Sequence, residues 1–202
     1  LGDLYTIPAT GGPARRITSG SGFDGQPRFA PDGSSIVFVS DRSGSENLYL
    51  VNADGENLRP LTTGRNEAYI SPDWTPDGTY VVASKRGDLW LYHRDGGSGL
   101  KMTGQTPALA GRGGSGNTPS NFMGASVAPD GRYIYAGART GPAGYNQMMG
   151  TTQIVMYDRE TGRVARRSLN LGTAFRPAIS PDGEWLVYGS RQMAQTGLKL
   201  RN

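Results

Sequence analysis

The stretch Phe29-Ala30-Pro31-Asp32-Gly33-Ser34-Ser35-Ile36-Val37-Phe38-Val39-Ser40, continued through Leu48-Tyr49-Leu50-Val51 and Asp54-Gly55 to Leu61-Thr62, decides the fold. Pro presets φ for the first central position of a tight turn, Asp bonds to its own backbone, and Gly takes positive φ at no steric cost. Pro-Asp-Gly therefore closes a hairpin between an apolar strand ending at Phe29 and the strand Ile36–Val39. The tripeptide recurs at Pro76-Asp77-Gly78, Pro129-Asp130-Gly131 and Pro181-Asp182-Gly183, at spacings of 45, 53 and 52 residues. A period of about 40–50 residues is that of a four-stranded propeller blade.

Working outward from the turns, each unit predicts the same parts. Phe29, Trp74, Val127 and Ile179 stand two residues before the Pro and end first strands. Second strands are Ile36–Val39, Tyr80–Ala83, Tyr133–Ala136 and Trp185–Tyr188, apolar on both faces, as a sheet sandwiched between neighbouring sheets requires. Third strands are Leu4–Ile7, Leu48–Val51, Leu89–Tyr92, Ile154–Tyr157 and Leu198–Leu200; fourth strands end at Ile17-Thr18, Leu61-Thr62 and Met102-Thr103. The expectation is an all-β propeller segment of about four four-stranded blades. Residues 1–20 form a partial blade, 21–64, 65–104 and 105–169 whole blades, and 170–202 a partial one. A four-blade disc closed on itself would hold the third strand twice, at Leu4 and Leu198, so we expect a segment of a six- to eight-bladed propeller, completed by more chain or by an oligomer.

Composition excludes several chemistries. The 202 residues hold no Cys and one His, His93. Disulfides, thiolate zinc sites and Cys nucleophiles are thereby excluded, as is any catalytic zinc site built on two or three His of this chain. The net charge is +4, with 9 basic and 12 acidic side chains in residues 1–100 against 12 and 5 in 101–202. The basic residues are scattered, Arg16, Arg42, Arg86, Arg139 and Arg191 among them. Nucleic-acid binding, which wants a clustered basic face, is not expected. The longest apolar runs are four residues, far short of the roughly 18 that a spanning helix needs, so no membrane insertion is expected. The chain opens on Leu1 with no charged-then-apolar leader, so a signal peptide, if there was one, is expected to be already gone.

The pattern of an apolar residue, Pro-Asp-Gly, a β-strand ending Ser-x-Arg, then Leu-Tyr, Asp-Gly and Leu-Thr resembles the TolB-like β-propeller repeat, and the resemblance covers almost the entire chain. Such repeats occur in the periplasmic scaffold TolB, in tricorn-type and prolyl-oligopeptidase-type peptidases, and in secreted bacterial amidohydrolases. The stretches Asp88–Gly97, Tyr157–Gly162 and Gln195–Arg201 look most similar to the amidohydrolase-linked propellers. The resemblance implies a periplasmic or secreted location and a protein partner or a longer parent chain; that family's metal ligands would lie in a barrel outside these residues.

Candidate sites are few. Gly111-Arg112-Gly113-Gly114-Ser115-Gly116 satisfies G-x-G-x-x-G, but Thr118-Pro119-Ser120 continues the loop where a dinucleotide site needs a helix, so it reads as an insertion. That insertion, Gln105 to Asn121, and a second, Gly141 to Gly150, lengthen the third full blade. Tyr145, Asn146 and Gln147 in the second offer a contact surface, since long loops on a rigid scaffold carry recognition. Asp24, Glu67 and Asp73 precede or sit in first strands, which line a propeller's channel. They are the residues that a lyase or glycosidase would use, or that would contribute to a Ca²⁺ site, although such a site needs six or more oxygens. Asp32, Gly33, Asp77, Gly78, Asp130, Gly131, Asp182 and Gly183 are read as structural turn residues. His93 is read as a turn-edge residue, and the loop Asp41–Asn47 as an ordinary hairpin. The function expected is a non-catalytic binding module without a cofactor, an accessory domain of a larger extracytoplasmic protein such as an amidohydrolase. The alternatives are a TolB-type scaffold and a self-contained propeller enzyme.

Overall fold

The computed structural model describes residues 2–104, 119–140, 151–168 and 172–192. Their strands fall into five antiparallel sheets in chain order. The first holds β1 (Tyr5–Thr6) and β2 (Arg15–Arg16). The second holds β3 (Asp24–Phe29), β4 (Ser35–Ser40), β5 (Asn47–Asn52) and β6 (Arg59–Pro60). The third holds β7 (Tyr69–Trp74), β8 (Tyr80–Lys85), β9 (Asp88–His93) and β10 (Leu100–Lys101). The fourth holds β11 (Ser120–Val127), β12 (Tyr133–Thr140), β13 (Thr151–Asp158) and β14 (Val164–Arg166), and the fifth β15 (Gly172–Ile179) and β16 (Leu186–Gln192). Each four-stranded sheet is a meander with its strands in sequence order, the arrangement of a propeller blade. No helix occurs among the described residues, and so none is long and apolar enough to cross a membrane.

Each turn is built as its residue types dictate. The N–H of Gly33 reaches the carbonyl of Ala30 at 2.8 Å, and Gly78, Gly131 and Gly183 repeat the bond at 2.8, 2.8 and 2.9 Å. These glycines have φ of 71, 66, 69 and 76°. The Asp before each accepts an N–H two residues on, from Ser34, Thr79, Arg132 and Glu184. The prolines link blades: a Cβ on Gly131 would sit 3.4 Å from Pro76 Cδ, and one on Gly183 3.7 Å from Pro129 Cδ.

The core lies in the seams between sheets. Every residue of β4 is buried, with Ile36 and Phe38 facing Leu4 and Ile17, which flank β1 and β2, and Val37 and Val39 facing Tyr69, Trp74, Val81 and Ala83 of the third sheet. The next seam sets Val82 and Leu89 against Phe122, Val127, Ile134 and Val155. Period-2 alternation therefore delivers one side chain to each seam, and both must be apolar.

Two repeated features were not expected. The Leu-Thr positions lie just beyond the fourth strands, not within them. There Thr18, Thr62, Thr103 and Ser168 accept the N–H of Leu4, Leu48, Leu89 and Ile154, each fourteen residues earlier, at 2.9–3.0 Å. Three of these hydroxyls donate onward, to Asn47 Oδ1, Asp88 Oδ1 and Gln153 Oε1. Thr62→Val keeps the shape but strands a fully buried N–H. A loss of about 1–3 kcal/mol is expected in urea unfolding; an unchanged midpoint would show that the hydroxyl contributes nothing.

The second feature is a bulge in every inner strand, five residues before each Pro. Gln26, Ser71, Gly124 and Arg176 have φ of 56, 51, 70 and 51°, and the strand register shifts around each of them. Gln26 Oε1 accepts the Ser71 N–H at 2.6 Å, tying two bulges across a seam.

Candidate functional site

The inner strands β3, β7, β11 and β15, with the loop ends opposite the Pro-Asp-Gly turns, carry the side chains predicted to line a channel. Each predicted carboxylate has its own partner. Asp24 is buried and pairs with Arg42 at 2.6 Å. Burial works to raise its pKa, but the hydrogen bond and charge of Arg42, with the Ser40 and Thr18 hydroxyls nearby, outweigh it and hold the carboxyl below its ordinary range. The Arg42 guanidinium also lies over the rings of Phe38 and Tyr49, at 5.7 and 5.3 Å.

Glu67, just before β7, meets Lys85 at 3.3 Å and Arg86 at 2.9 Å. Lys85 Nζ is caged by the Trp90 and Tyr69 rings, 4.7 and 5.5 Å away. Beneath it the Tyr92 phenol is buried. Burial first, then Tyr69 and the charge of Glu67, push its pKa up.

Asp73 on β7 accepts the Val127 N–H of the next sheet at 2.8 Å. Burial raises its pKa, against that hydrogen bond and the nearby charge of Arg28. Matching ties cross the neighbouring seams: Trp74 Nε1 donates to Arg28 O at 3.2 Å, and the Ile179 N–H to Ser126 Oγ at 3.3 Å. Asp73 thus does mechanical work between blades, a role its residue type did not reveal.

The three carboxylates are held by different cations or N–H groups, Asp24 on β3, Glu67 before the start of β7 and Asp73 near its end. Among the described residues no group of three or more His, Asp or Glu stands where it could share a metal ion. Tyr145, Asn146 and Gln147 lie outside the described residues, as do Leu198–Leu200 and the glycine string. The first insertion is shorter than read, because Ser120 and Asn121 already belong to β11, where the Phe122 N–H bonds to Gly87 O at 2.8 Å.

His93 ends β9 on the turn-bearing side. Its Nδ1 accepts the Asp95 N–H at 3.2 Å and its ring meets Tyr80 edge-on at 5.2 Å. The loop at Asp41 is satisfied internally: Asp41 Oδ1 takes the Phe23 N–H, and Asn47 Nδ2 donates to Gly64 O. On the turn side a groove of about 330 Å³ is lined by Asp130, Gly131, Arg132, Arg159 and Glu160. There Arg132 binds Asp158 at 2.8 Å and Glu160 at 2.9 Å, holding Asp158 down to a pKa of about 2, and Arg159 donates to Gly131 O.

Stacked four-stranded meanders with inner-strand bulges and sealed seams define a β-propeller segment. A family model described as the TolB beta propeller domain matches residues 2–141, and the chain belongs to that family. It is 48% identical over 56 residues to the Tol-Pal system protein TolB of Bordetella pertussis, a match covering 27% of this chain and 13% of that protein. Among solved structures it is similar to TolB from Acinetobacter baumannii, with a TM-score of 0.73 at 20% identity over 94% of this chain and 43% of that one. It is also similar to an oligogalacturonate lyase in complex with manganese, with a TM-score of 0.67 at 14% identity over 96% and 54% of the two chains. At these identities the structural likeness is one of fold. The chain spans less than two thirds of each of these relatives.

Proposed function

We propose that this chain is a non-catalytic protein-binding module of a larger periplasmic or secreted protein, a scaffold segment in the manner of TolB. One observation supports the reading above others: the channel carboxylates are each committed within the fold, Asp24 to Arg42, Glu67 to Lys85 and Arg86, and Asp73 to the Val127 N–H. A propeller glycosidase needs two such groups free to face a substrate. What the inner face leaves open is contact surface, including exposed Ile70 and Met123. In its finer form the module shapes access or partners for an adjoining amidohydrolase barrel, as the stretches at Asp88–Gly97 and Tyr157–Gly162 suggest.

The test is affinity capture from a bacterial envelope extract on the immobilised chain. A stoichiometric protein partner, released by competing free chain, is the expected result. Turnover of oligogalacturonate or of peptide substrates by the purified chain would overturn the reading.

A further inference from the structure

The repeat that places the turns also places charge. Ten residues after each turn proline stand Asp41, Arg86, Arg139 and Arg191. All four lie at the far end of the second strand from the turn. Arg139 pairs in register with Ser120 and Arg191 with Thr173, at or near the start of their inner strands. Arg86 follows Lys85, which faces Tyr69 at the start of β7. Three consecutive sheets therefore hold an arginine at one height on one side of the stack. Arg176, exposed on the bulge of β15, adds a fourth on the inner strand of the fifth sheet.

These arginines are largely unneutralised. Arg86, its side chain 67% exposed, shares Glu67 with Lys85. Arg139, Arg176 and Arg191 have no carboxylate at ion-pair distance among the described residues, whereas Arg16, Arg42 and Arg132 do. The second sheet ends the arc with an opposite charge, Asp41, at the equivalent position.

We infer that the arc formed by Arg86, Arg139 and Arg191, with Arg176 beside it, receives an extended acidic segment of a protein partner. This rests on the binding-module reading above and names the partner's chemistry. Packed sheets stand about 10 Å apart, and a chain extended in the polyproline II conformation advances about 3.1 Å per residue and returns every third side chain to the same face. Carboxylates at every third position therefore meet successive blades, where each guanidinium fork donates to one in bidentate fashion. The exposed apolar side chains beside the arc are Ile70 and Met123, which suit aliphatic residues between the acids. Single-stranded nucleic acid instead wants aromatic platforms for its bases.

The test titrates the whole chain against a labelled peptide of about twelve residues carrying Glu at every third position. Saturable binding is expected, weakened about ten-fold between roughly 50 and 300 mM salt. The double variant Arg139→Glu/Arg191→Glu is expected to lose a further factor of about ten or more. Arg163→Glu/Arg167→Glu makes the same charge change beside the outer strand β14, and it is expected to alter affinity less than about three-fold. Circular dichroism confirms that both variants fold. No binding, equal losses in the two variants, or tighter binding of a single-stranded oligonucleotide of equal charge overturns the inference. An envelope partner captured equally by the wild type and by Arg139→Glu/Arg191→Glu would also overturn it, while leaving the module reading intact.

Discussion

Replacing Phe38 by Ala is expected to cost about 3–5 kcal/mol in urea unfolding, the range for emptying a buried aromatic site. Phe38 is fully buried at the centre of β4. Its ring stacks on Tyr49 at 5.9 Å under the Arg42 guanidinium and closes the seam onto Leu4 and Ile17. Rigid sheets on both sides cannot collapse into the hole, so the cavity term adds to the lost transfer term. Phe29→Ala, one strand away in the same sheet, supplies the contrast. Phe29 is 55% exposed and belongs to none of the buried core clusters. Its loss is expected to stay under about 1 kcal/mol. Were the two variants equally destabilised, seam packing would not be what holds the segment together.

The same contrast shows what the chain announces and what it withholds. Pro31-Asp32-Gly33 and its repeats are legible because a tight turn is a local matter: φ restraint, an Asx bond and a left-handed glycine all lie within four residues. Ile36–Val39 is legible because burial on both faces removes polar residues altogether. The bulges are not legible. Gln26, Ser71 and Arg176 are not residues that favour positive φ, and each is held there by pairing with the second strand, at a local cost of about 1–2 kcal/mol. Only Gly124 carries a local sign. The hydroxyls of Thr18, Thr62, Thr103 and Ser168 hide for a different reason. Their partner lies fourteen residues away, and Ser168 has no Leu-Thr signature to follow. Among the candidate residues, Asp24, Glu67 and Asp73 lie in or just before inner strands, but whether a carboxylate is free or spoken for depends on its neighbours in space. The arginine arc was visible as residues and not as a pattern, because scattered Arg become aligned only when counted from the turn proline.

The second large effect concerns Asp24. Removing one partner of a buried ion pair leaves an uncompensated charge, which costs about 3–5 kcal/mol where burial is complete. The Asp24 carboxylate is almost fully covered but the Arg42 side chain is 19% exposed, so solvent recovers part of the penalty. Asp24→Ala is expected near the lower end, about 3 kcal/mol at neutral pH. The pH dependence then separates charge from shape. The folded-state pKa of Asp24 lies below its ordinary value of 3.8, so the unfolded chain binds the proton more readily. The stabilisation is therefore fully present above about pH 4 and is lost as pH falls through the folded-state value. Asp24→Asn, which keeps the shape and removes the charge, is expected to be less stable than wild type at pH 7, with a gap that narrows steadily in acid. Urea unfolding of both proteins from pH 7 down to the lowest pH at which they fold measures that gap. A gap that stays constant or widens below pH 4 would assign the contribution of Asp24 to packing, and the Arg42 pair would then owe its geometry to the rings of Phe38 and Tyr49 beneath it.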